Sequence, residues 1–97
     1  MNNPRPLIYA YLDYRNFLKD LFAFKKQESA SFSFRNFSRL AGLKSSNFLK
    51  LVMDGKRNLS PQSIHQVAKA FKLSKGEADF FETLVFLGLR VIEWVKS

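Results

Sequence analysis

The feature that most constrains this chain is a stretch of twenty residues, 34–53, with the sequence FRNFSRLAGLKSSNFLKLVM. Ser33 is a good N-cap for a helix over residues 34–41, because a serine hydroxyl accepts from the free backbone N–H groups of a first helical turn. Gly42 stands where a left-handed residue is needed to end that helix. Ser45 is a second capping residue, and a second helix is predicted from there to the end of the stretch. The stretch therefore predicts two short helices joined by a turn.

Six positions of this stretch meet the physical demands of a helix-turn-helix. The fifth residue must be small because the two helices cross there, and the ninth must be glycine. The fourth, tenth, fifteenth and eighteenth residues must be apolar, because they fix the angle between the helices. In that order, these positions hold Ser38, Gly42, Phe37, Leu43, Phe48 and Leu51.

Positive charge is concentrated over the same part of the chain. The net charge is +8, and residues 25–57 hold eight Lys or Arg against two acidic residues. A polyanion suits such a patch, because each phosphate that is neutralised by Lys or Arg releases condensed counterions. The alternative is a solvated charged face that only keeps the chain soluble.

In a helix-turn-helix, the first turn of the second helix enters the major groove of DNA. Five residues are predicted to face base edges: Ser45, Ser46, Asn47, Leu49 and Lys50. Asparagine can pair with adenine, serine can bond to either kind of edge, and leucine can touch a thymine methyl group. Five flanking basic residues are predicted to contact phosphates: Arg35, Arg39, Lys44, Lys56 and Arg57. The alternatives are that Ser45 only caps the helix, that Asn47 is only solvated and that Leu49 packs against a protein partner.

Three further helices are predicted around this unit. Apolar residues at three- and four-residue spacing predict a long first helix over residues 7–26. Ser60, followed by proline, begins a helix to Phe71, and the S-x-x-E capping box from Ser74 begins a long last helix. The sequence thus predicts an all-α, five-helix domain over residues 1–97, either alone or as the N-terminal part of a longer protein.

The run GLKSSNFLKLVMDGKRNLSPQSIHQVAKAFKLSKGEADFF is similar to the DNA-binding domains of lambda repressor, Cro and related bacterial regulators. The most specific parts are Gly-Lys-Arg at residues 55–57 and Val-Ala-Lys-Ala-Phe at residues 67–71. The earlier segments YLDYRNFLKDLFAFKK and FSFRNFSRLAGL resemble the start of a family of bacterial proteins predicted to be regulators, in which a C-terminal region follows. The resemblance implies a repressor-like helix-turn-helix fold and a dimeric, sequence-specific DNA binder. The chain departs from the repressor pattern in its longer first helix, in Arg35 and in the apolar Leu49.

Apolar residues cover most of the circumference of the last helix over residues 80–95, and a monomer of this size does not bury so wide a surface. A second copy of the chain is one candidate to cover it, and a missing C-terminal domain or another protein partner is the other. The residues predicted for a homodimer interface are Phe81, Leu84, Val85, Val91, Ile92, Trp94 and Val95. Two-fold symmetry would also place two recognition helices roughly 34 Å apart on DNA.

Several classes of protein are disfavoured. The chain has no cysteine, so disulfides and thiolate metal sites are excluded, and no secretory signal is recognisable; we expect a cytoplasmic protein associated with the nucleoid. The longest uncharged apolar run, residues 83–89, is far below the roughly 20 residues that cross a bilayer, so no membrane partner is predicted. The single histidine, His65, lies off the apolar stripe of its helix and is predicted to be a surface residue.

No paired carboxylates, nucleophile motif, phosphate-binding loop or metal-ligand spacing occurs in the sequence, so no enzyme activity, metal or cofactor is predicted. Two functions remain. The first is sequence-specific binding of double-stranded DNA by a homodimeric transcriptional regulator. The second is a repressor-like module that has lost DNA binding and joins protein partners.

Overall fold

The computed structural model of the chain describes residues 4–96, with side chains up to residue 88. Over this range the chain contains a short 3-10 turn at Ile8–Ala10, five α-helices and no strand. The helices are α1 (Tyr14–Glu28), α2 (Phe34–Ala41), α3 (Phe48–Met53), α4 (Pro61–Ala70) and α5 (Lys75–Lys96). The prediction of an all-α chain is confirmed for these residues, and none of these helices is long and apolar enough to cross a membrane.

Serine hydroxyls begin three of the helices, as predicted. At the starts of α2 and α4, Ser33 Oγ and Ser60 Oγ accept from the backbone N–H three residues later, at 3.1 and 3.2 Å. At the start of α5, Ser74 Oγ accepts from the backbone N–H of Glu77 at 3.2 Å, and Glu77 Oε1 accepts from the backbone N–H of Ser74 at 2.9 Å. The local sequence therefore sets where these helices begin.

The first helix differs from the prediction, which placed it at residues 7–26. Asp13 Oδ1 accepts from the backbone N–H of Arg15 at 2.9 Å, and α1 begins at the residue between them. Aspartate favours such a cap because its side chain competes with the helix for backbone N–H groups. Before Asp13, Ile8–Ala10 form the 3-10 turn. This turn packs on α5, and Ile8 is completely buried.

One hydrophobic core lies between the helices. α1 packs on α3 and α5, and α4 packs on α2 and α5. Four phenylalanines at its centre are at most 1% exposed: Phe17, Phe37, Phe71 and Phe81. The ring centroids of Phe37 and Phe71 are 4.4 Å apart, which joins α2 to the end of α4. Each such side chain contributes about 1.5–3 kcal/mol of burial free energy, so this aromatic centre holds α2 and α4 together.

Part of the predicted dimer interface belongs to this core. Phe81, Leu84 and Val85 are at most 6% exposed, so they are not free to contact a second copy, and this part of the prediction is wrong. The reason is that α1, α4 and the 3-10 turn all pack on α5 and cover more of its circumference than the sequence pattern indicates. The other predicted interface residues, Val91, Ile92, Trp94 and Val95, lie outside the side chains that the structure describes.

Candidate nucleic-acid interface

Residues 42–47, between α2 and α3, form what we call the glycine turn. Gly42 adopts φ = 76°, a left-handed conformation that is costly for residues with a Cβ, and the backbone N–H of Leu43 donates to Ser38 O at 2.9 Å. Ser38 is 2% exposed, and its Oγ donates to Ser46 O at 3.4 Å. The predicted roles of Gly42 as a left-handed residue and of Ser38 as a small buried residue are therefore confirmed.

One side chain from outside the two helices also contacts the glycine turn. Gln66, on α4, donates from Nε2 to Gly42 O at 3.2 Å. This hydrogen bond adds to the packing between α2 and α4 and connects α4 directly to the turn.

Helix α3 begins later than predicted, and its buried face is rotated. Ser45 Oγ accepts from the backbone N–H of Asn47 at 3.2 Å, so Ser45 closes the turn, and the helix itself begins at Phe48. The residues of α3 that enter the core are Leu49 and Val52, each 0% exposed. The predicted inward residues, Phe48 and Leu51, are only half-buried. A shift of one residue rotates a helical face by about 100°.

This rotation changes the predicted DNA-facing set. Leu49 is fully buried, so the prediction that it touches a thymine methyl group is wrong. The other four residues predicted to read bases, Ser45, Ser46, Asn47 and Lys50, are all exposed. Asn47, the N-cap residue of α3, has helical backbone angles and is three residues before Lys50, so the two side chains lie on the same side of α3. The exposed side of α3 is therefore polar and positively charged, and the apolar Leu49 is not part of it.

The basic side chains of this region are exposed: Arg35, Arg39, Lys44, Lys50, Lys56 and Arg57. Arg35 and Arg39 lie one helical turn apart on α2, and Arg39 Nη2 also donates to Asn36 Oδ1 at 3.3 Å. Among the described side chains, up to residue 88, none of the six forms an ion pair. Six uncompensated cations close in sequence make this surface suited to a polyanion.

The histidine lies elsewhere, on α4. His65 is 77% exposed, and its Nε2 lies 3.7 Å from Glu82 Oε2 on α5, so its prediction as a surface residue is confirmed. Within the described part of the chain, no group of three or more His, Cys, Asp or Glu residues is arranged to hold a metal ion.

Residues 54–58, which follow α3, form what we call the basic turn. Gly55 has φ = 80°, and the backbone N–H groups of Lys56 and Arg57 both donate to Leu51 O, at 2.8 and 3.3 Å. The chain thus folds back at the end of α3 and holds the Lys56 and Arg57 side chains outside the core, where both are exposed.

Sequence reasoning missed a residue that holds the basic turn. Arg15, the second residue of α1, extends from α1 to the end of α3. Its Nη1 donates to Val52 O and, at 2.9 Å, to Arg57 O, and its Nη2 donates to Asn58 Oδ1 at 2.9 Å. No local sequence signal predicts these contacts, because the acceptors lie 37, 42 and 43 residues further along the chain.

Comparison of the chain with protein-family models, with curated proteins and with solved structures gave no match.

Proposed function

We propose that this protein binds double-stranded DNA through α3 and the two turns that flank it. The observation that carries the proposal is the set of six exposed Lys and Arg side chains within residues 35–57, none of them ion-paired among the described residues. Each can neutralise one phosphate and release its counterions. Residues 35–57 contain one acidic residue, Asp54, which is exposed, so the net charge of this segment remains positive.

The proposed role of each residue follows from where it lies relative to α3. Arg35 and Arg39 on α2, Lys44 in the glycine turn, and Lys56 and Arg57 in the basic turn flank α3 and contact phosphates. Such contacts fix the position of the protein on the duplex and do not depend on sequence. Asn47 and Lys50 on the outer face of α3, with Ser46 beside them, contact base edges in the major groove.

The salt dependence of DNA binding tests this proposal. With five phosphate contacts, we expect the logarithm of the binding constant to fall with the logarithm of salt concentration with a slope of about −4.5. Fluorescence anisotropy with a labelled duplex at several salt concentrations measures this slope. Lys56→Ala should make the slope shallower by about 0.9, because one phosphate contact is lost. Lys75 is an exposed lysine at the start of α5, and Lys75→Ala should leave the slope unchanged. Absence of binding even at low salt would rule out the proposal.

Sequence specificity has its own test. Selection of bound fragments from random DNA identifies a preferred site, and Asn47→Ala should then cost roughly 1–3 kcal/mol on that site and much less on random DNA. If Asn47→Ala binds both DNAs as the unchanged protein does, the outer face of α3 is not the base-reading surface.

As a transcriptional regulator the protein would act as a homodimer, which presents two copies of α3 to adjacent turns of the major groove. Exposed apolar side chains on α5, Phe86 at 43% and Leu87 at 51%, support a contact along that helix. The sedimentation coefficient of the Leu87→Arg variant should shift toward that of a monomer, and the coefficient of the Lys75→Ala variant should stay unchanged.

A protein-interaction module is the second candidate function. It is favoured by Leu12, in the link between the 3-10 turn and α1, and by Leu40, on α2, which are 98% and 70% exposed. A protein partner that covers either side chain would bury apolar surface that the described residues leave in water. A chain that dimerises normally but gives no salt-dependent DNA binding would favour this candidate.

A further inference from the structure

The guanidinium of Arg15 lies against the C-terminal end of α3. The carbonyl groups of the last turn of a helix have no partners within the helix and carry a partial negative charge. Arg15 adds a hydrogen bond to one of them, Val52 O, which also accepts from the backbone N–H of Gly55 at 3.0 Å, and with the same guanidinium bonds to Arg57 O and Asn58 Oδ1 in the basic turn. One side chain therefore joins the end of α3, at Val52, to the C-terminal end of the basic turn, at Arg57 and Asn58.

The base of this side chain is itself firmly held. The backbone N–H of Arg15 is capped by Asp13, and the guanidinium carbon lies 4.9 Å from the ring centroid of Tyr14. Tyr14 is 5% exposed and packs edge-on against Phe81, with the ring centroids 6.2 Å apart. Arg15 thus connects the hydrophobic core, through its contact with Tyr14, to the basic turn.

The basic turn has few other supports. Gly55 has open space around the position of a Cβ, with no atom within 4 Å. The remaining backbone hydrogen bonds of the turn are local ones to Val52 O, Lys50 O and Leu51 O. The chain is anchored again directly after the turn, at Leu59, which is 3% exposed. Between α3 and Leu59, Arg15 is the side chain from another helix that holds the segment carrying Lys56 and Arg57.

We infer that Arg15 is a positioning residue for DNA binding: it touches no DNA itself and holds the basic turn so that Lys56 and Arg57 reach backbone phosphates. This inference rests on the proposed DNA binding. Its chemistry requires arginine, because a planar guanidinium presents donors to several acceptors at fixed angles, whereas a lysine ammonium is a point charge on a flexible stem.

The test compares Arg15→Met and Arg15→Lys in the salt titration. If Arg15 positions two phosphate contacts, both variants should reduce the slope from about −4.5 to about −2.7. If Arg15 were instead a phosphate contact, Arg15→Lys would keep the slope, and that result would overturn the inference. The double variant Lys56→Ala with Arg57→Ala should add little to Arg15→Met. Arg39→Met, a matched loss of one arginine on α2, should be additive with the same double variant.

A second measurement separates failure of the inference from failure of the proposed function. Amide hydrogen exchange of Lys56 and Arg57 should become several-fold faster in both Arg15 variants, with or without DNA. Unchanged exchange would overturn the positioning role even if DNA binding stands. Faster exchange with an unchanged salt slope would also overturn it. A chain that binds no DNA would remove the proposed function, and its exchange rates would then report only on structure. If Arg15→Met does not fold, Asn58→Ala removes one acceptor at an exposed position and should give a smaller change in the same direction.

Discussion

The two turns on either side of α3 both depend on a left-handed glycine, yet they are held in different ways. The glycine turn is supported from several sides, by the backbone bond of Leu43, by buried Ser38 and by Gln66. The basic turn is held from outside α3 by the side chain of Arg15 and, directly after the turn, by the buried Leu59. The angle between α2 and α3 is therefore over-determined, whereas the position of Lys56 and Arg57 between α3 and the buried Leu59 depends on one residue of α1, Arg15.

This difference matches what each turn has to do in the proposed function. The glycine turn sets the orientation of α3 relative to α2, and an error there would move every groove-facing side chain together. The basic turn has to bring two cations to phosphates, and the Arg15 hydrogen bonds hold the backbone from which those side chains extend. Three experiments measure how independent the two turns are.

The largest effect is expected for Leu49→Ala, because this residue connects α3 to the core between the two turns. Leu49 is 0% exposed, and its truncation should cost about 2–5 kcal/mol of unfolding free energy. Urea denaturation measures the loss, and hydrogen exchange should accelerate in both turns together. Leu40→Ala, at a position 70% exposed on α2, is the control and should change stability by less than about 0.5 kcal/mol. Acceleration in only one turn would mean that α3 does not couple them.

The next effect compares the two glycines directly. Gly42→Ala and Gly55→Ala should each cost about 1–2 kcal/mol, the penalty for placing a Cβ in the left-handed region. We expect equal costs, because a Cβ at Gly42 would meet only Gln66 Nε2 at 3.5 Å, an ordinary contact, and a Cβ at Gly55 would meet nothing within 4 Å. Thermal denaturation of both variants tests this. Asparagine tolerates left-handed conformations, so Gly42→Asn and Gly55→Asn should recover part of the loss.

The smallest effect is expected for Gln66→Met, which removes the hydrogen bond to Gly42 O and keeps the length of the side chain. It should cost about 0.5–1.5 kcal/mol. Exchange of the Leu43 amide should rise only slightly, because Ser38 and the backbone bond remain. Gln62→Met, at an exposed position one turn earlier on α4, is the matched control. A large loss of DNA affinity from Gln66→Met alone would contradict the view that the glycine turn has several independent supports.

Local rules predicted the helix starts and the glycine turn because each relevant contact spans only a few residues. Ser33, Ser60 and Ser74 each bond to a backbone group three residues away, and Gly42 needs only its own φ angle. The sequence carries the information for these features within a single turn of chain, so no knowledge of packing was needed.

The orientation of α3 could not be predicted in the same way. The helix has six residues, fewer than two turns, and it contains two apolar pairs with the same spacing, Phe48 with Leu51 and Leu49 with Val52. Periodicity cannot distinguish such pairs; the packing of α1 on α3 decides that Leu49 and Val52 are buried. The burial of Phe81, Leu84 and Val85 is not predictable for a related reason, because no local sequence signal indicates that a 3-10 turn packs on α5.

The position of Arg15 in the sequence also has a consequence for folding kinetics. Its acceptors lie 37 to 43 residues away, whereas Ser38 and Ser46 are separated by eight. Closing a longer loop costs more chain entropy, so we expect the Arg15 contacts to form after the folding transition state and the glycine turn to form before it. Interactions that are absent from the transition state act mainly on the unfolding rate. Arg15 should therefore determine how long the basic turn stays in place once formed, with little influence on how fast the chain folds.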